Sequence, residues 1–219
     1  MNVIYLSAGS GVRAKLGYPK QFALLGGKPI MMYGLEILQS MPNIDRIIVT
    51  CAESEINKTN TLIDDYGITK AVLVLGGATR QESVRLGLSL VDSKHLLVME
   101  AVRPFVNKDF INKVIQTKGD FITPIKHAIS TVLTFDGAWL DRRMTGEVQM
   151  PQKYGTKLLL DAHVRACKEY TDDAALVIDT LHIEPCIIEG LEENIKITTP
   201  LDLRIAEPIY QYIYNGHEE

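Results

Sequence analysis

Short runs of β-branched and aliphatic residues alternate with longer stretches of helical pattern, and no other feature of this chain narrows its fold as much. Val3–Leu6, Arg46–Cys51, Ala71–Leu75 and Leu96–Met99 read as strands. Between and after them, helices are predicted from Pro29 to about Met41, from about Glu53 to Tyr66 with Gly67 as the stop, from Thr79 to about Leu90, and from Asp109 to Thr117. Pro29 suits a first helical turn, where its missing N–H would find no partner anyway. Thr79-Arg80-Gln81-Glu82 has the form of a capping box, in which the Thr hydroxyl and the Glu carboxylate accept from first-turn N–H groups. Strand, helix, strand, helix at this spacing predicts an α/β fold, a mostly parallel twisted sheet with helices on both faces. Right-handed crossovers then gather the loops after the strands at one edge, where ligands bind.

The pattern changes after Pro124. Ile129–Phe135 alternates and is rich in β-branched residues, and Asp136-Gly137 is a hairpin turn signal. A second extended segment through Trp139 to about Val148 would complete a protruding two-stranded arm, spanning 125–152. An isolated hairpin is marginal in water, so a second copy of the chain is the expected partner, with Trp139 as an anchor in that interface. Helices are predicted over Thr156–Tyr170 and, capped by Thr171, over Asp172–Leu181. A strand follows at Cys186–Glu189, and Thr199-Pro200 opens a last helix toward Tyr214. Tyr210, Tyr212 and Tyr214 are expected to pack this terminal helix, and His163 and His217 to lie at the surface.

The chain has 219 residues, 46% apolar and 23% charged, which suits a single domain with a substantial core. Its net charge of −4 argues against a dedicated duplex-DNA binder. No apolar run approaches the roughly 20 residues of a membrane span. The start, Met1-Asn2-Val3-Ile4-Tyr5-Leu6, lacks the basic region and the apolar length of a signal peptide. Cys51, Cys167 and Cys186 are odd in number and lack metal-type spacing, so reduced thiols in a cytoplasmic protein are expected.

Gly9-Ser10-Gly11-Val12-Arg13-Ala14 follows a strand and formally fits the dinucleotide fingerprint. That fingerprint requires a helix to begin within it, whereas Gly17 and Pro19 follow within a few residues and Pro19 disfavours helical dihedrals at Tyr18. A nicotinamide-dependent reductase therefore stands as an alternative rather than the leading reading. The Walker pattern fails because Gly27-Lys28 precedes Pro29, which has no hydroxyl for Mg²⁺. What remains is an irregular glycine loop carrying Arg13, Lys15 and Lys20. Glycines let backbone N–H groups approach an anion, and the cations reach further along a polyphosphate.

Ser7-Ala8-Gly9-Ser10-Gly11-Val12-Arg13 followed by Pro19-Lys20-Gln21-Phe22 resembles the opening of the cytidylyltransferases that act on 2-C-methyl-D-erythritol 4-phosphate, ribitol phosphate and related alcohols. The resemblance continues at Gly76–Val84, Ala101–Val106, Pro151-Gln152, Thr171–Ala174, Glu189-Gly190 and Asn194–Pro200, in the family's order over nearly the whole chain. It implies a Rossmann-like nucleotidyltransferase that uses CTP and Mg²⁺ and works as a homodimer through the arm. By resemblance, Arg13, Lys20 and Lys196 neutralise charge at the triphosphate, the two lysines flanking the α-phosphoryl. Ser7, Ala8, Gly9, Gly11, Gly77 and Ala78, with Arg80 and Ser83, would bind the nucleotide. Glu100 stands where the family's block His-Asp-Ala-x-Arg-Pro has its Asp, and would serve the metal; Met99 replaces the His.

Departures cluster at the acceptor end. Where the methylerythritol enzymes carry Asp-Thr after the Pro of the fifth strand, this chain has His127-Ala128, and Met150 replaces the Thr of Thr-Pro-Gln. Arg103 and Arg142 match the family's arginines. Arg103, His127, Arg142 and Met150 are therefore the candidate acceptor residues. The resemblance thus implies transfer of CMP to a small polyol phosphate or phosphonate. Methylerythritol phosphate as acceptor, and a non-catalytic nucleotide-binding relative, stand as further alternatives.

Overall fold

The computed structural model describes residues 1–9 and 17–215. Gly11, Arg13, Lys15 and His217 lie outside the described residues. In chain order the elements are β1 (Asn2–Leu6), β2 (Leu24–Leu25), β3 (Lys28–Pro29), α1 (Ile30–Ser40), β4 (Arg46–Cys51), α2 (Ile56–Asp65), β5 (Ala71–Leu75), α3 (Arg80–Leu88), β6 (His95–Glu100), α4 (Lys108–Gln116), β7 (Phe121–His127), β8 (Val132–Leu133), β9 (Trp139–Leu140), β10 (Gly146–Val148), β11 (Gln152–Gly155), α5 (Thr156–Arg165), α6 (Asp173–Leu181), β12 (Cys186–Glu189) and α7 (Pro200–Asn215).

The main sheet runs β10-β7-β11-β6-β1-β4-β5, with β12 on the other edge of β7. The β1, β4, β5 and β6 ladders are parallel, β12 is parallel to β7, and β10 and β11 run against the rest. Side chains alternate across the sheet as a period of two requires. Val3, Tyr5, Ile47, Val49, Leu97 and Met99 face α1, α2 and α4. Ile4, Ile48, Leu96 and Val98 face α3, α5 and α6. Both faces of the central strands are thus buried, which is why their sequences read as unbroken apolar runs. A smaller cluster, including Leu25, Tyr33, Phe105, Ile197 and Ala206, packs α7 against β2 and α1.

The α/β architecture and all five strands expected outside the arm are present. Several local expectations are corrected. β11 was not foreseen; its sequence, Gln152-Lys153-Tyr154-Gly155, lacks a β-branched run, and pairing with β6 and β7 imposes the strand. The arm is not one long hairpin. Its own ladder is only Val132-Leu133 against Trp139-Leu140, and the returning segment forms a 3-10 turn at Arg142–Met144 before β10 rejoins the sheet beside β7. Asp172, not Thr171, caps α6, because its carboxylate accepts from the Ala174 N–H. Asn107 caps α4 in the same way, through Phe110 N–H. α5 ends at Arg165, short of Tyr170. His163 is not a surface residue, since its side chain is 3% exposed. Tyr210 and Tyr214 pack against Tyr33, while Tyr212 points to solvent.

Candidate active site

From β1 the chain steps outward to β4 and β5, then returns to place β6 on the opposite side of β1. Such a reversal opens a crevice beyond the carboxyl ends of the two central strands. A cavity of about 560 Å³ occupies that place. Ser7, Ala8 and Gly9 line it after β1, Thr50 near the end of β4, Gly77–Arg80 and Ser83 after β5, and Glu100–Val102 from β6. Lys20, Gln21 and Lys196 complete the wall.

Backbone and side-chain hydrogen bonds hold these segments in place. Ser7 N–H donates to Thr50 O at 3.0 Å, and Ala101 N–H to Leu6 O at 3.0 Å, so both flanks of the β1 loop are tied to neighbouring strands. Gln21 donates to Ser7 O at 2.7 Å and pins the 3-10 turn carrying Lys20 against that loop. The turn after β5 is shaped by α3. Ser83 Oγ accepts from Gly77 N–H at 3.1 Å and donates to Thr79 O at 2.9 Å, and the Glu82 carboxylate accepts from Ala78 N–H at 2.8 Å. The capping box therefore reaches one residue beyond its cap. A Cβ on Gly76 would lie 2.2 Å from the Ala8 Cβ, so glycine is what lets the two loops meet.

Glu100 is 8% exposed and surrounded by cations. Lys196 Nζ lies 2.6 Å from Oε1, Arg103 Nε 3.0 Å from Oε2, and Arg80 Nε 3.7 Å from Oε1. Burial alone would raise its pKa, but Lys196, Arg103 and Arg80 outweigh burial and bring it down to about 2. Arg80 also pairs with the buried Asp173 at 2.8 Å, and with Asp172 at 4.0 Å. Burial works against the Arg80 charge, yet these three carboxylates hold its pKa above the ordinary value. Behind Asp173 lies the His163 ring at 3.9 Å, pushed down by burial and hence neutral at pH 7. Among the described lining residues Glu100 is the one carboxylate, and the described residues hold no cluster of three or more His, Cys, Asp or Glu side chains fit for a metal. One carboxylate fits an Mg²⁺ ion that arrives on a triphosphate, because Mg²⁺ takes most of its ligands from phosphate and water.

The structure thus brings Ser7, Ala8, Gly9, Lys20, Gly77, Ala78, Arg80, Ser83, Glu100 and Lys196 to one cavity. The candidate acceptor residues lie elsewhere. Arg103 bridges Glu100 and the Asn194 carbonyl, at 2.8 Å from the latter, and so orders the loop. His127 is exposed at the end of β7, and Arg142 is exposed on the arm and donates to Ile129 O at 2.9 Å. Met150 is 3% exposed, packed with Ile4 and Val98 in the core. Gln149, Asn194, Asp173 and His163 were missed by sequence reading. Asp173 and Asn194 sat inside recognised blocks; Gln149 and His163 carried no local signal.

The family model described as "IspD: 2-C-methyl-D-erythritol 4-phosphate cytidylyltransferase" matches residues 1–212. The 2-C-methyl-D-erythritol 4-phosphate cytidylyltransferase of Bacillus velezensis is 34% identical, covering 98% of this chain and 97% of that one. The ribitol-5-phosphate cytidylyltransferase of Streptococcus agalactiae serotype III is 31% identical, covering 96% and 95%. A crystal structure of 4-diphosphocytidyl-2C-methyl-D-erythritol synthase from Anaerococcus prevotii superposes with a TM-score of 0.84 over 96% of this chain and 95% of that one, at 24% identity, and supports the fold.

Proposed function

This chain belongs to the 2-C-methyl-D-erythritol 4-phosphate cytidylyltransferase family, and on that premise we propose that it transfers CMP from CTP to a small polyol phosphate or phosphonate. An oxygen of the acceptor's phosphate or phosphonate attacks the α-phosphorus of CTP. The bond to the β-phosphate oxygen breaks, pyrophosphate leaves, and a CDP-linked product or its phosphonate counterpart forms. Family membership displaces the nicotinamide reading.

The observation that carries this reading is the convergence of Lys20, Lys196 and Glu100, distant in sequence, on one cavity walled by the Ser7–Gly9 and Gly77–Ser83 segments. Such chemistry needs no protein nucleophile. It needs in-line placement and neutralisation of the charge that builds on the phosphoryl and the leaving group. Lys20 and Lys196 supply that charge, with Arg13 as a further cation. Main-chain groups of Ala8, Gly77 and Ala78 read the cytosine edge, where the absence of bulky side chains permits close approach. Mg²⁺, when bound, would offset triphosphate charge, and Glu100 is the residue that would hold it.

His127 and Arg142 remain the proposed acceptor group, with the arm brought in by a second copy of the chain. Arg103 serves by ordering the loop beside Glu100, and Met150, 3% exposed, is a core residue and not an acceptor contact. Ile129, Leu133, Phe135, Trp139 and Met144 on the arm are all exposed, and the arm's own ladder is two residues long. An apolar projection with so little internal pairing is stabilised by packing against a partner, which supports a homodimer. The unpaired thiols of Cys51, Cys167 and Cys186 are in keeping with a cytoplasmic setting.

A coupled assay of pyrophosphate release, run with CTP, Mg²⁺ and a panel of polyol phosphates and aminoalkylphosphonates, tests the proposal. Turnover of a panel member over methylerythritol phosphate supports it. Preference for methylerythritol phosphate, which the names of several relatives favour, would replace the acceptor while keeping the reaction. CTP binding with no pyrophosphate release from any acceptor would sink it.

A further inference from the structure

The segment that carries Lys196 is clasped by both roots of the arm. At one root, Gly190 N–H donates to Ile125 O at 2.9 Å, and Lys126 pairs with Glu192 at 2.9 Å. At the other root two buried side-chain amides, those of Gln149 and Asn194, make the connection. The Gln149 amide donates to Leu191 O at 2.8 Å and accepts from Leu191 N–H at 2.9 Å, as a neighbouring strand would. The same amide lies 3.4 Å from both the carbonyl oxygen and the Nδ2 of Asn194. Asn194 in turn donates to Met150 O at 2.7 Å. Gln149 is 3% exposed and Asn194 is fully buried, so water cannot replace these bonds without opening the packing. Two residues beyond Asn194, Lys196 reaches Glu100, and Arg103 ties Glu100 to the Asn194 carbonyl.

We propose that Gln149 is a positioning residue, which sets the Leu191–Lys196 segment, and with it the approach of Lys196 to the transferred phosphoryl, by the position of the arm. This inference rests on the cytidylyl-transfer reading for its catalytic consequence. Its structural half stands apart from it. Any shift of the arm, whether from a second copy or from a bound acceptor, then reaches Lys196 through the buried amides of Gln149 and Asn194.

The test uses Gln149→Met, which fills the space without the hydrogen bonds, and Gln149→Glu, which keeps the acceptor for Leu191 N–H but loses the donor. Amine acylation read by mass spectrometry reports on Lys196 without any need for activity. The expected result is faster acylation of Lys196 in Gln149→Met, an intermediate rate in Gln149→Glu, and unchanged labelling of Lys58, an exposed lysine on α2. In the transfer assay kcat should fall about 10²-fold in Gln149→Met with a much smaller change in KM for CTP. In a Lys196→Ala background the same substitution should cost almost nothing more, because both act through one group. Should Gln149→Met fail to fold, Gly190→Ala strikes the same clasp, since its Cβ would lie 2.5 Å from Gln149 Oε1, and the same pattern is expected. Unchanged Lys196 labelling in a folded variant overturns the clasp. An equal loss of kcat with and without Lys196 overturns the positioning role. A wild-type protein that releases no pyrophosphate overturns the reaction instead, and the labelling result then still decides the clasp.

Discussion

Lys196 Nζ lies 2.6 Å from Oε1 of Glu100, a residue that lines the same cavity and stands 96 positions earlier in the chain. The carboxylate holds the ammonium group at the cavity wall. It also offers the lysine a weak attachment compared with the several charges of a triphosphate, so the partner can be exchanged when nucleotide enters. Lys196→Ala and Lys20→Ala are each expected to lower kcat/KM by about 10²–10³, the usual loss for one preorganised charge at a transition state. Lys196→Arg should recover part of the activity. Steady-state pyrophosphate release with CTP checks this, and wild-type activity in either alanine variant would contradict it.

Acid should weaken the fold through Glu100. Its folded pKa, about 2, lies below the ordinary carboxylate value, because Lys196, Arg103 and Arg80 outweigh the effect of burial. A depressed pKa stabilises the native state fully above the unfolded value of about 4.5, and the contribution is lost as pH falls toward 2. The shift corresponds to about 3 kcal/mol. Glu100→Gln should therefore be less stable than wild type at pH 7, with the gap closing between about pH 4.5 and 2. Urea unfolding across that range measures it.

Asp173 lies 2.8 Å from Arg80 and is 1% exposed. Removing it leaves a guanidinium with two more distant carboxylates in place of a close one. Asp173→Ala is expected to cost about 3 kcal/mol, in the range for breaking a buried pair. Adding Arg80→Met should return part of that stability, because the unpaired charge goes with it. Denaturant midpoints of the two single variants and the double variant give the coupling directly.

Gly76→Ala should disturb both stability and nucleotide affinity. The new Cβ would stand 2.2 Å from the Ala8 Cβ and 3.2 Å from Ser83 Oγ, so the two loops must separate. Overpacking of this kind costs about 1–3 kcal/mol. Ala8→Gly in the same chain relieves the first of these clashes and should restore most of the loss. Thermal unfolding and CTP titration of the single and double variants check it.

Charge on the arm should separate copies of the chain without unfolding them. Phe135 is fully exposed and Trp139 is 63% exposed in the single chain, so Phe135→Asp with Trp139→Asp removes little packing within it. Sedimentation should show the wild type as a dimer and the variant as a monomer, with the same far-UV circular dichroism. A dimer that survives both substitutions would place the interface elsewhere.

The central sheet was legible because its strands are buried on both faces. Ile47, Ile48 and Val49 have no solvent side to which a polar residue could be assigned, so the strand is written as an apolar run. The Thr79–Glu82 box was legible for a similar reason, since a cap is a contact between residues three apart. β11 was not legible. Its Lys153 sits against β6 and β7 and sends its ammonium to the Ile115 carbonyl at 3.1 Å, so a charge stands where a core residue would be expected. The arm's returning strand was misplaced because β10 gains its pairing from β7, a neighbour that local pattern cannot announce.

The same division runs through the site. The short sequence blocks that resemble the family, from Ser7 to Pro200, are local properties of the chain, and they carried the family assignment. What only the tertiary structure decided is which charges share a low-dielectric space. Glu100 owes its lowered pKa to Lys196, Arg103 and Arg80, and the segment leading to Lys196 is bonded at Leu191 by Gln149, 42 positions earlier. Coulomb and hydrogen-bond energies depend on distances through space, and for residues 40 to 100 positions apart those distances exist only once the sheet has formed.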